Sequence, residues 1–426
     1  MSNSYTPTFD AVVSVTSGDE ALGKIFLSPE GLDDPSPYYR YLRENAPVHQ
    51  SAAGAIFLTR YDDCREALRD NRLGKSNSAE SLLSSGDSEA LQVRREQLER
   101  AREQEQAASM LFLNPPDHTR QRSLVSRAFT PRRVNALRAS IRTLAEGMVD
   151  DFVEAGGGDL LEALAFPLPV AVIGTMVGVP EPDWPQFRSL ITASAAGIEP
   201  AASAEELRAA GTSSGQVREY FSALLAERRA SPQDDLLSDL IQVEEEGDRL
   251  SDGEIIAVST LLFAAGFETT TNLIGNGMGA LLRHPDQMAA LWNDPSLVET
   301  AVDEVLRWDS PVQLDGRTVL EPAEVAGEQV EVGTRVMTLL GAANRDPEHF
   351  DDPERFDVTR QQGPPMSFAS GIHYCLGANL SRAEGQEVFG ALIQRCSSIE
   401  PAGDLVRRNR ITLRGFLSVP VTVTSR

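Results

Sequence analysis

The sequence FASGIHYCLG at residues 368–377 decides what this chain can be. It holds one cysteine, Cys375, between Gly371 and Gly377, just before a segment with helical character. The N-terminus of a helix stabilises a thiolate, because its free peptide N–H groups and its dipole point at the sulfur. A single cysteine cannot hold zinc or an iron–sulfur cluster, but it can be one axial ligand of a metal that a macrocycle already holds. The stretch is also compatible with a buried, inert cysteine in a turn.

The composition restricts the class of the protein. The chain has 426 residues, 41% of them hydrophobic, and a formal net charge of −24. Such an acidic balance disfavours wholesale binding to nucleic acid, which requires a basic surface. Cys64, Cys375 and Cys396 lie far apart, so we expect neither a disulfide framework nor a structural zinc site. Sparse cysteines fit a reducing cytoplasm, and we find no signal peptide and no long apolar run. We therefore expect a cytoplasmic protein that contacts no membrane.

The clearest helix lies in the middle of the chain. Ser251 and Glu254 form the S-x-x-E pattern of a capping box, and an apolar helical pattern continues from there to Arg283. His284-Pro285 then ends the helix. A helix of about thirty residues is roughly 45 Å long. A helix this long and this apolar must cross the middle of the protein.

The remaining pattern is mostly helical, with a few short strands and no clear linker. We therefore predict a single domain over residues 1–426, with a loop-like segment over about 1–35. Helical spacing predicts helices over residues 61–70, 89–107, 131–154, 160–176, 204–229, 234–245, 295–308 and from after Cys375 to about Ser397. The run 89–107 is equally compatible with a solvated charge run. Strands are predicted over 54–60, 317–320, 329–332 and 336–340, with a β-hairpin over 411–423.

The middle of the long helix carries an unusual group of residues, Ala-Gly-Phe-Glu-Thr-Thr at 265–270. Gly266 removes side-chain bulk from one face of the helix. Thr269 can bond back to a carbonyl of the previous turn and loosen the helix there, which would open a pocket that could hold dioxygen. An acid beside a hydroxyl, as in Glu268 and Thr269, makes a proton relay next to a metal centre. Taken alone, the segment is also compatible with ordinary core packing.

An acid–base pair further along the chain, Glu304 and Arg307, has the i,i+3 spacing of an ion pair on one helical face. The same E-x-x-R pattern occurs at residues 99–102, so the spacing alone is weak evidence. Position strengthens it, because the pair lies about seventy residues before Cys375 and is followed by the sequence DPERF at 352–356.

A basic segment stands out in this acidic chain. Residues 118–145 contain seven arginines and no acidic residue. Acidic proteins can be steered to such a patch. Several of these arginines are also compatible with an ordinary helix surface.

The cysteine-containing stretch resembles the cysteine-ligand loop of the cytochromes P450, whose pattern is F-G-x-G-x-H-x-C-x-G. Ala369 departs from it, since the family usually has glycine there. Residues 265–270 are similar to the family's A-G-x-[DE]-T signature, Glu304–Arg307 to its E-x-x-R pair and His118–Arg122 to its H-x-x-x-R. The resemblance extends from His49 to the C-terminus and points to the soluble bacterial class, especially members of actinomycete-type secondary metabolism. It implies a mainly α fold with small β-sheets, in which haem lies between the long central helix and the cysteine loop.

The resemblance also implies roles for individual residues. Cys375 would be the axial ligand of the haem iron, and Glu268 and Thr269 would be the acid–alcohol pair that delivers protons during oxygen activation. The residues that would brace the cysteine loop are Glu304, Arg307 and Arg355. The residues that would contact haem b and its propionates are His118, Arg122, Arg317, His373, Ala265, Phe368, Gly371 and Gly377. The residues that would form the substrate pocket are Leu261, Ala264, Val312, Leu314 and Phe416.

The implied reaction is that of a haem-thiolate monooxygenase, which inserts one oxygen atom of O₂ into a hydrophobic or amphipathic small molecule by hydroxylation or epoxidation. Electrons would come from NAD(P)H only indirectly, through a reductase and a ferredoxin- or flavodoxin-type partner at a basic patch that includes Arg120, Arg127, Arg132 and Arg133. One alternative is a peroxygenase that uses hydrogen peroxide directly, but the Glu268–Thr269 pair and the basic patch argue against it. Another is a P450-like protein that only binds, for instance to recruit a carrier-bound substrate. A protein that only binds could lose the ligand cysteine or the acid–alcohol pair, whereas this chain has both.

Overall fold

The structure is a computed structural model that describes residues 15–76, 88–104, 106–126, 129–245 and 248–426. Helices make up most of these residues. The bounds of the helices are α1 (Gly18–Leu27), α2 (Pro29–Asp33), α3 (Ser36–Asn45), α4 (Tyr61–Arg69), α5 (Ser88–Glu103), α6 (Asp117–Ser126), α7 (Pro131–Glu154), α8 (Pro167–Val177), α9 (Trp184–Ser194), α10 (Ala204–Ala230), α11 (Leu236–Gln242), α12 (Asp252–Arg283), α13 (Pro285–Asn293), α14 (Val298–Trp308), α15 (Leu340–Ala343) and α16 (Ala378–Arg395).

The strands are short and form small sheets around this helical body. Their bounds are β1 (Val48–Gln50), β2 (Ile56–Leu58), β3 (Leu73–Gly74), β4 (Gly157–Asp159), β5 (Glu244–Glu245), β6 (Asp248–Arg249), β7 (Leu314–Val319), β8 (Ala323–Val325), β9 (Glu328–Val330), β10 (Arg335–Leu339), β11 (Cys396–Pro401), β12 (Val406–Arg407), β13 (Phe416–Ser418) and β14 (Pro420–Ser425). The largest sheet has the order β1-β2-β10-β7-β3. In it β10 runs parallel to β2, with Val336 beside Ile56, and antiparallel to β7, with Arg335 beside Thr318. A second sheet has the order β11-β14-β4.

Helix α12 passes through the main hydrophobic core, as its sequence pattern predicts. The Glu254 N–H donates to the Ser251 hydroxyl at 3.3 Å, and the Ser251 N–H donates to the Glu254 carboxylate at 2.8 Å, so both halves of the capping box form. The helix ends at Arg283, because His284 leaves the helical conformation ahead of Pro285. The C-terminal half of α12 is buried and packs against α14 and α16, while α8 and α10 also pack against the helix. Helix α12 therefore offers a fixed wall for a site.

Most of the predicted helices are confirmed. The helices predicted at 61–70, 131–154 and 204–229 are α4, α7 and α10. The charged run 89–107 forms α5. The helix predicted at 160–176 begins with a π-helical turn, which leads into α8. Local spacing of apolar residues is enough to locate these elements, because each of them buries one face.

Two predictions about the ends of the chain are wrong. Residues 15–35 are not a loop, because α1 and α2 form there with N-caps at Ser17 and Ser28 and bury side chains such as that of Phe26. Residues 1–14 lie outside the described residues. The tail at 411–423 is not a hairpin, because β13 pairs with β12, while β14 lies between β11 and β4. Each tail strand thus finds its partner in a distant or preceding segment.

The glycines of the C-terminal half of α12 make room for an aromatic ring. Phe416 is 1% exposed and packs on the helix face at Gly275 and Gly279. The guanidinium of Arg407 lies 3.8 Å from the ring centroid, and that of Arg283 lies 5.6 Å from it. Phe416 therefore anchors the tail to α12.

We predict that alanine substitutions at two helical glycines change stability in opposite directions. A Cβ at Gly279 would lie 2.7 Å from Cε2 of Phe416, so Gly279→Ala forces the ring to move and should lower the free energy of unfolding by about 1–3 kcal/mol. Gly147 in α7 is exposed and has nothing within 4 Å of such a Cβ. Gly147→Ala should raise the free energy of unfolding by up to about 1 kcal/mol, because alanine favours a helix. Thermal unfolding followed by circular dichroism measures both, and stabilisation by both substitutions would contradict the packing of Phe416.

Candidate active site

A cavity of about 1080 Å³ lies between α12 and the cysteine loop, which we define as residues 366–377. Further parts of its wall come from α5, from α6, from residues 108–112 and 195–202, from β7 and from residues 412–413. These segments are far apart in the sequence. The fold therefore creates the cavity by bringing together elements from most of the chain.

Close backbone contacts fix the cysteine loop. The Cys375 N–H donates to the Phe368 carbonyl at 3.0 Å, and the Tyr374 N–H donates to the Gly371 carbonyl at 3.1 Å. Gly371 has a φ of +70°, and a Cβ there would overlap the carbonyl oxygen of Leu68. Glycine is required at this position for both reasons. Gly371 itself does not line the cavity, so it contributes by letting the loop pack against the end of α4.

Ala369 adopts a conformation that favours glycine. Its φ is 57° and its ψ is −155°, in a region that residues with a side chain rarely occupy. Its N–H donates to the Met366 carbonyl at 2.8 Å, so the turn still closes. Holding a non-glycine residue there costs about 1–3 kcal/mol. The loop therefore retains its geometry with alanine at the cost of local backbone strain.

Cys375 lines the cavity just before the first turn of α16. Burial raises the pKa of its thiol, whereas the N–H of Gly377 and the charges of Arg122 and Arg382 act in the opposite direction. Arg122 also reaches the cysteine loop directly, because its Nη2 donates to the Tyr374 carbonyl at 2.5 Å. The donors and cations around the sulfur are those that stabilise a thiolate.

A group of buried donors beside the cysteine loop lacks an acceptor. Among the described residues, no hydrogen-bond partner is found for either ring nitrogen of His118, for Nε2 of His373 or for Nη2 of Arg317. The two imidazole centroids are 4.2 Å apart, and all three side chains line the cavity. Burial, Arg317 and His118 lower the pKa of His373 to about 3, and burial and nearby arginines also lower the pKa of His118. Burial thus favours the neutral form of each ring, and a neutral imidazole still offers one N–H to an anion.

An ion-paired cluster that the sequence analysis missed adjoins these donors. Lys75 Nζ donates to Asp315 at 2.5 Å, and Arg317 Nη1 donates to the same carboxylate at 2.8 Å. Burial would raise the pKa of Asp315, but Lys75 and Arg317 outweigh it and hold that pKa well below its usual range. The cluster carries one net positive charge inside the cavity wall. The tertiary pairing of β3 with β7 brings Lys75 here, so no local sequence pattern indicates the cluster.

The cavity face of α12 has the geometry that its sequence predicts. The Thr269 hydroxyl donates to the Ala265 carbonyl at 2.9 Å, which is the back-bond to the previous turn. Ala265 and Thr269 both line the cavity. Gly266 has a further role, because a Cβ there would lie 2.8 Å from Cγ1 of Ile173. This glycine thus also permits α8 to pack closely against α12.

Glu268 is buried in an ion pair with a residue that the sequence analysis did not single out. One of its carboxylate oxygens accepts a hydrogen bond from Nη1 of Arg408, in the loop after β12. Both side chains are close to fully buried, and Glu268 lines the cavity. The acid of the predicted acid–alcohol pair is therefore held in place by Arg408.

A buried ion pair connects α14 to the cysteine loop. Nε and Nη2 of Arg307 donate to the two oxygens of Glu304 at 2.6 and 2.8 Å. Nη1 of Arg307 also donates to the Asn344 carbonyl at 3.0 Å. The Asn344 side chain in turn accepts from the Met366 N–H at 2.6 Å and donates to the Ser367 hydroxyl at 3.0 Å. The predicted pair therefore reaches the first residues of the loop through one asparagine.

The comparisons with known proteins agree with this geometry. The sequence profile of the family described as Cytochrome P450 matches residues 207–423. A protein of Saccharopolyspora erythraea named cytochrome P450 107B1 is 40% identical over 393 residues, which cover 90% of this chain and 93% of that protein.

The chain belongs to the cytochrome P450 family.

Two further relatives of this P450 are informative. A protein of Pseudonocardia autotrophica named vitamin D(3) 25-hydroxylase is 39% identical over 405 residues, which cover 92% of this chain and 94% of that protein. The crystal structure of P450BioI in complex with an acyl carrier protein ligated to hexadec-9Z-enoic acid has a TM-score of 0.82 and 34% identity. That comparison covers 92% of this chain and 99% of the other. The P450 fold, mainly α with small β-sheets, and the assignment as a P450 enzyme are thereby confirmed.

The residues around the cavity fit the haem that the family implies. Haem carries two propionates, and the buried donors of His118, His373 and Arg317 that lack partners among the described residues are suited to anionic oxygens. Arg122 also lines this part of the cavity. Cys375 would supply the thiolate ligand, while Ala265, Phe368 and Gly377 line the space that the macrocycle would fill. The predicted haem contacts thus lie around one cavity, except Gly371, which acts through packing.

The brace of the cysteine loop differs from the prediction in one residue. The second guanidinium at Glu304, beside that of Arg307, belongs to Arg360, whose Nε donates to Glu304 at 3.1 Å. Arg355 takes part through its backbone carbonyl, which accepts from Arg307 and from Arg360 at 3.0 Å each. The Arg355 side chain is exposed because the turn at 352–356 directs it outward. The predicted role for that side chain is therefore wrong.

Of the five residues predicted to form the substrate pocket, four line the cavity and one does not. Leu261, Ala264, Val312 and Leu314 line the cavity. Phe416 does not, because it is held against the glycine face of α12. Its place on the tail is taken by Thr412 and Leu413, and Leu413 forms a β-bridge with Val312. An isolated bridge of this kind leaves no periodic signal in the sequence.

The basic segment lies along α6 and α7, and α7 packs against α16, the helix that follows Cys375. Arg132 and Arg133 are exposed in the first turn of α7. Arg120 and Arg133 form ion pairs with acidic residues of α12 and α11, so part of the patch is neutralised by residues distant in the sequence. Arg127 lies outside the described residues. None of the helices in the described ranges is long and apolar enough to cross a membrane.

We predict that two nearby arginines differ sharply in their effect on stability. Arg360→Gln removes a buried partner of Glu304, whose carboxylate is then incompletely paired, and should lower the free energy of unfolding by about 3–5 kcal/mol. Arg355→Gln leaves every carbonyl contact of the brace intact and should change that free energy by no more than about 0.5 kcal/mol. Urea unfolding followed by fluorescence measures both. Equal losses in the two variants would contradict the corrected assignment.

Proposed function

We propose that this P450 inserts one oxygen atom of O₂ into a hydrophobic or amphipathic small molecule, with haem b as cofactor and Cys375 as the axial ligand. One observation carries the proposal above the others. Cys375 and the pair Glu268–Thr269 line the same cavity from two different elements, the cysteine loop and α12. The cavity thus combines a thiolate ligand with groups that can move protons.

The bound haem would supply the iron at which O₂ is reduced and activated, with the thiolate favouring O–O cleavage. The chain supplies the surroundings. His118 and His373, together with Arg122 and Arg317, would hold the propionates. The Glu304–Arg307–Arg360 brace keeps the cysteine loop in a single position. The apolar wall at Leu261, Ala264, Val312, Leu314 and Leu413 orients the substrate and excludes water.

Proton delivery is the task we propose for Glu268 and Thr269. The Thr269 hydroxyl keeps its position over the cavity through its bond to the Ala265 carbonyl. The neighbouring residue, Glu268, lines the same cavity, and Arg408 fixes where its carboxylate lies. In our proposal Arg408 is a positioning residue, because it acts through Glu268.

The substrate class follows from the cavity and has support from relatives. Haem would fill part of the cavity, and the wall that remains for a substrate, at Leu261, Ala264, Val312, Leu314 and Leu413, is apolar, which suits a hydrophobic molecule. The similarity to a vitamin D(3) 25-hydroxylase supports hydroxylation of such a molecule. We propose a ferredoxin- or flavodoxin-type electron donor that docks at the exposed arginines of the basic patch, with Arg132 at its centre, because Arg120 and Arg133 already form ion pairs. The location of Arg132 on α7, which packs against the helix that follows Cys375, supports a docking site on the cysteine side.

The proposed function is tested by turnover with a defined electron source. Purified protein is combined with NADPH, a ferredoxin reductase, a ferredoxin and vitamin D₃ or palmitic acid as probe substrates, under ¹⁸O₂. We expect a product that carries one ¹⁸O atom and whose formation requires the ferredoxin. Product formation with hydrogen peroxide but none with the reducing system would instead indicate a peroxygenase. Binding of both probes without product under either condition would indicate a protein that only binds.

We predict that Thr269→Ala separates electron consumption from product formation. The variant should bind the same probe with unchanged affinity but form about 10²-fold less product for each NADPH oxidised, because a positioned proton donor contributes that much. The missing product should appear as hydrogen peroxide. Thr271→Ala removes a buried hydroxyl of α12 that does not line the cavity and serves as the control. Tight coupling in Thr269→Ala would remove this residue from the relay.

A further inference from the structure

The place where the cavity meets solvent is marked by apolar side chains that both line the cavity and are exposed. They are Leu27, Leu111, Phe112 and Ile198, with exposed fractions between 38% and 52%. Isolated exposed apolar residues are common, but these four all line the same cavity. Ile198 belongs to residues 195–202, which we call the rim segment and which connect α9 to α10. The rim segment is thus part of the cavity wall where that wall reaches the surface.

The Glu199 carboxylate ties the rim segment to the C-terminal part of the chain. Its Oε1 accepts from the backbone N–H groups of Thr412 at 2.9 Å and Leu413 at 3.3 Å, and its Oε2 accepts from that of Ile411 at 3.4 Å. The Thr412 hydroxyl also donates to the Ile198 carbonyl at 3.4 Å. Burial raises the pKa of Glu199, and the backbone donors partly offset that effect. Since Thr412 and Leu413 line the cavity, this carboxylate positions part of the wall itself.

Helix α5 fastens the same segment from another side. Arg94 donates through Nη1 to the Gly197 carbonyl at 2.7 Å and through Nη2 to the Glu199 carbonyl at 2.6 Å. Gln97, one turn later, donates to the Leu207 carbonyl at 2.7 Å. Helix α5 and residues 411–413 therefore both hold the rim segment, and polar groups make the connection in both cases.

The apolar packing beneath the rim segment is weak. A small cluster separate from the main core joins α5 to this region, and it consists mainly of alanines: Ala90, Val93, Ala196, Ala202, Ala204, Leu207 and Ala210. An alanine buries little apolar surface, so each contact contributes much less than a buried leucine or phenylalanine would. The hydrogen bonds of Glu199 and Arg94 therefore contribute a large share of the free energy that holds the rim segment in place.

We propose that Glu199 is a latch: its carboxylate holds the rim segment against residues 411–413, and its release opens the cavity to the substrate. The proposal rests on the proposed function, because it concerns access to the same cavity. A carboxylate bound by several N–H groups is stronger than a neutral contact, yet its bonds can break together when the segment moves. Glu199 thus couples movement of the rim segment to the positions of Thr412 and Leu413.

Amide hydrogen exchange tests the latch by a signal that does not come from the haem. Glu199→Gln preserves the shape of the side chain but turns an NH₂ group toward backbone donors. We expect the amides of 411–413 and of the rim segment to exchange together about tenfold faster than in the wild-type protein. Glu205→Gln removes an exposed carboxylate of the same region and should leave both segments unchanged. Faster exchange at 411–413 with unchanged exchange in the rim segment would overturn the latch.

Ligand-binding kinetics test the consequence for access. Stopped-flow mixing of the ferric protein with 4-phenylimidazole, which changes the haem spectrum on binding, gives association and dissociation rate constants. Both should rise about tenfold in Glu199→Gln, with a smaller change in Kd, because a latch controls passage more than affinity. Arg94→Gln loosens the same segment without touching 411–413 and should act in the same direction. Unchanged rate constants in both variants would overturn the proposal.

The latch and the proposed function fail in different ways. A wild-type protein without a haem absorption band would contradict the proposed function. The exchange of the two segments would still decide the latch, because it depends only on hydrogen bonds within the chain.

Discussion

The structure depends on the guanidinium of Arg307, which is buried and whose three nitrogens all donate hydrogen bonds within the protein. It binds Glu304 at two points and donates to the carbonyls of Asn344, Pro353 and Arg355. These contacts tie α14 to the irregular segment that leads into the cysteine loop. A buried charge left without its partners is very costly, so this segment cannot shift as long as the network is complete. The position of one sulfur atom is therefore set by an ion pair on another helix.

The sequence predicts the features of the site that are encoded locally. The capping box at Ser251 locates the start of α12, and the back-bond of Thr269 follows from residues four apart on one helix. Contacts between distant segments are different. Arg408 reaches Glu268 from 140 residues away, and nothing near either residue indicates the pairing. Arg355 and Arg360 are equally plausible from spacing alone, and only the turn geometry decides which side chain faces Glu304. Phe416 was misplaced because its partners are glycines, which leave no apolar pattern of their own.

The two ends of the cavity are held by different kinds of interaction. Near Cys375, fully buried ion pairs and strained or glycine-dependent backbone fix the cysteine loop, which suits a ligand that must not move. Near the mouth, the rim segment rests on alanines and a few hydrogen bonds, which suits a segment that must open. Low local stability is a requirement of elements that move during function. The division between a rigid floor and a lightly held rim thus follows from side-chain chemistry at each end.

The role of Cys375 as a thiolate ligand of haem iron is the claim on which the other proposed roles depend. The ferrous–CO difference spectrum of the purified protein and of Cys375→Ala tests this claim most directly. We expect the wild-type protein to show the long-wavelength Soret band of a thiolate-ligated haem, and Cys375→Ala to lose that band or to lose haem altogether. A wild-type band at the shorter wavelength of a neutral ligand would contradict the account. So would an unchanged long-wavelength band in Cys375→Ala.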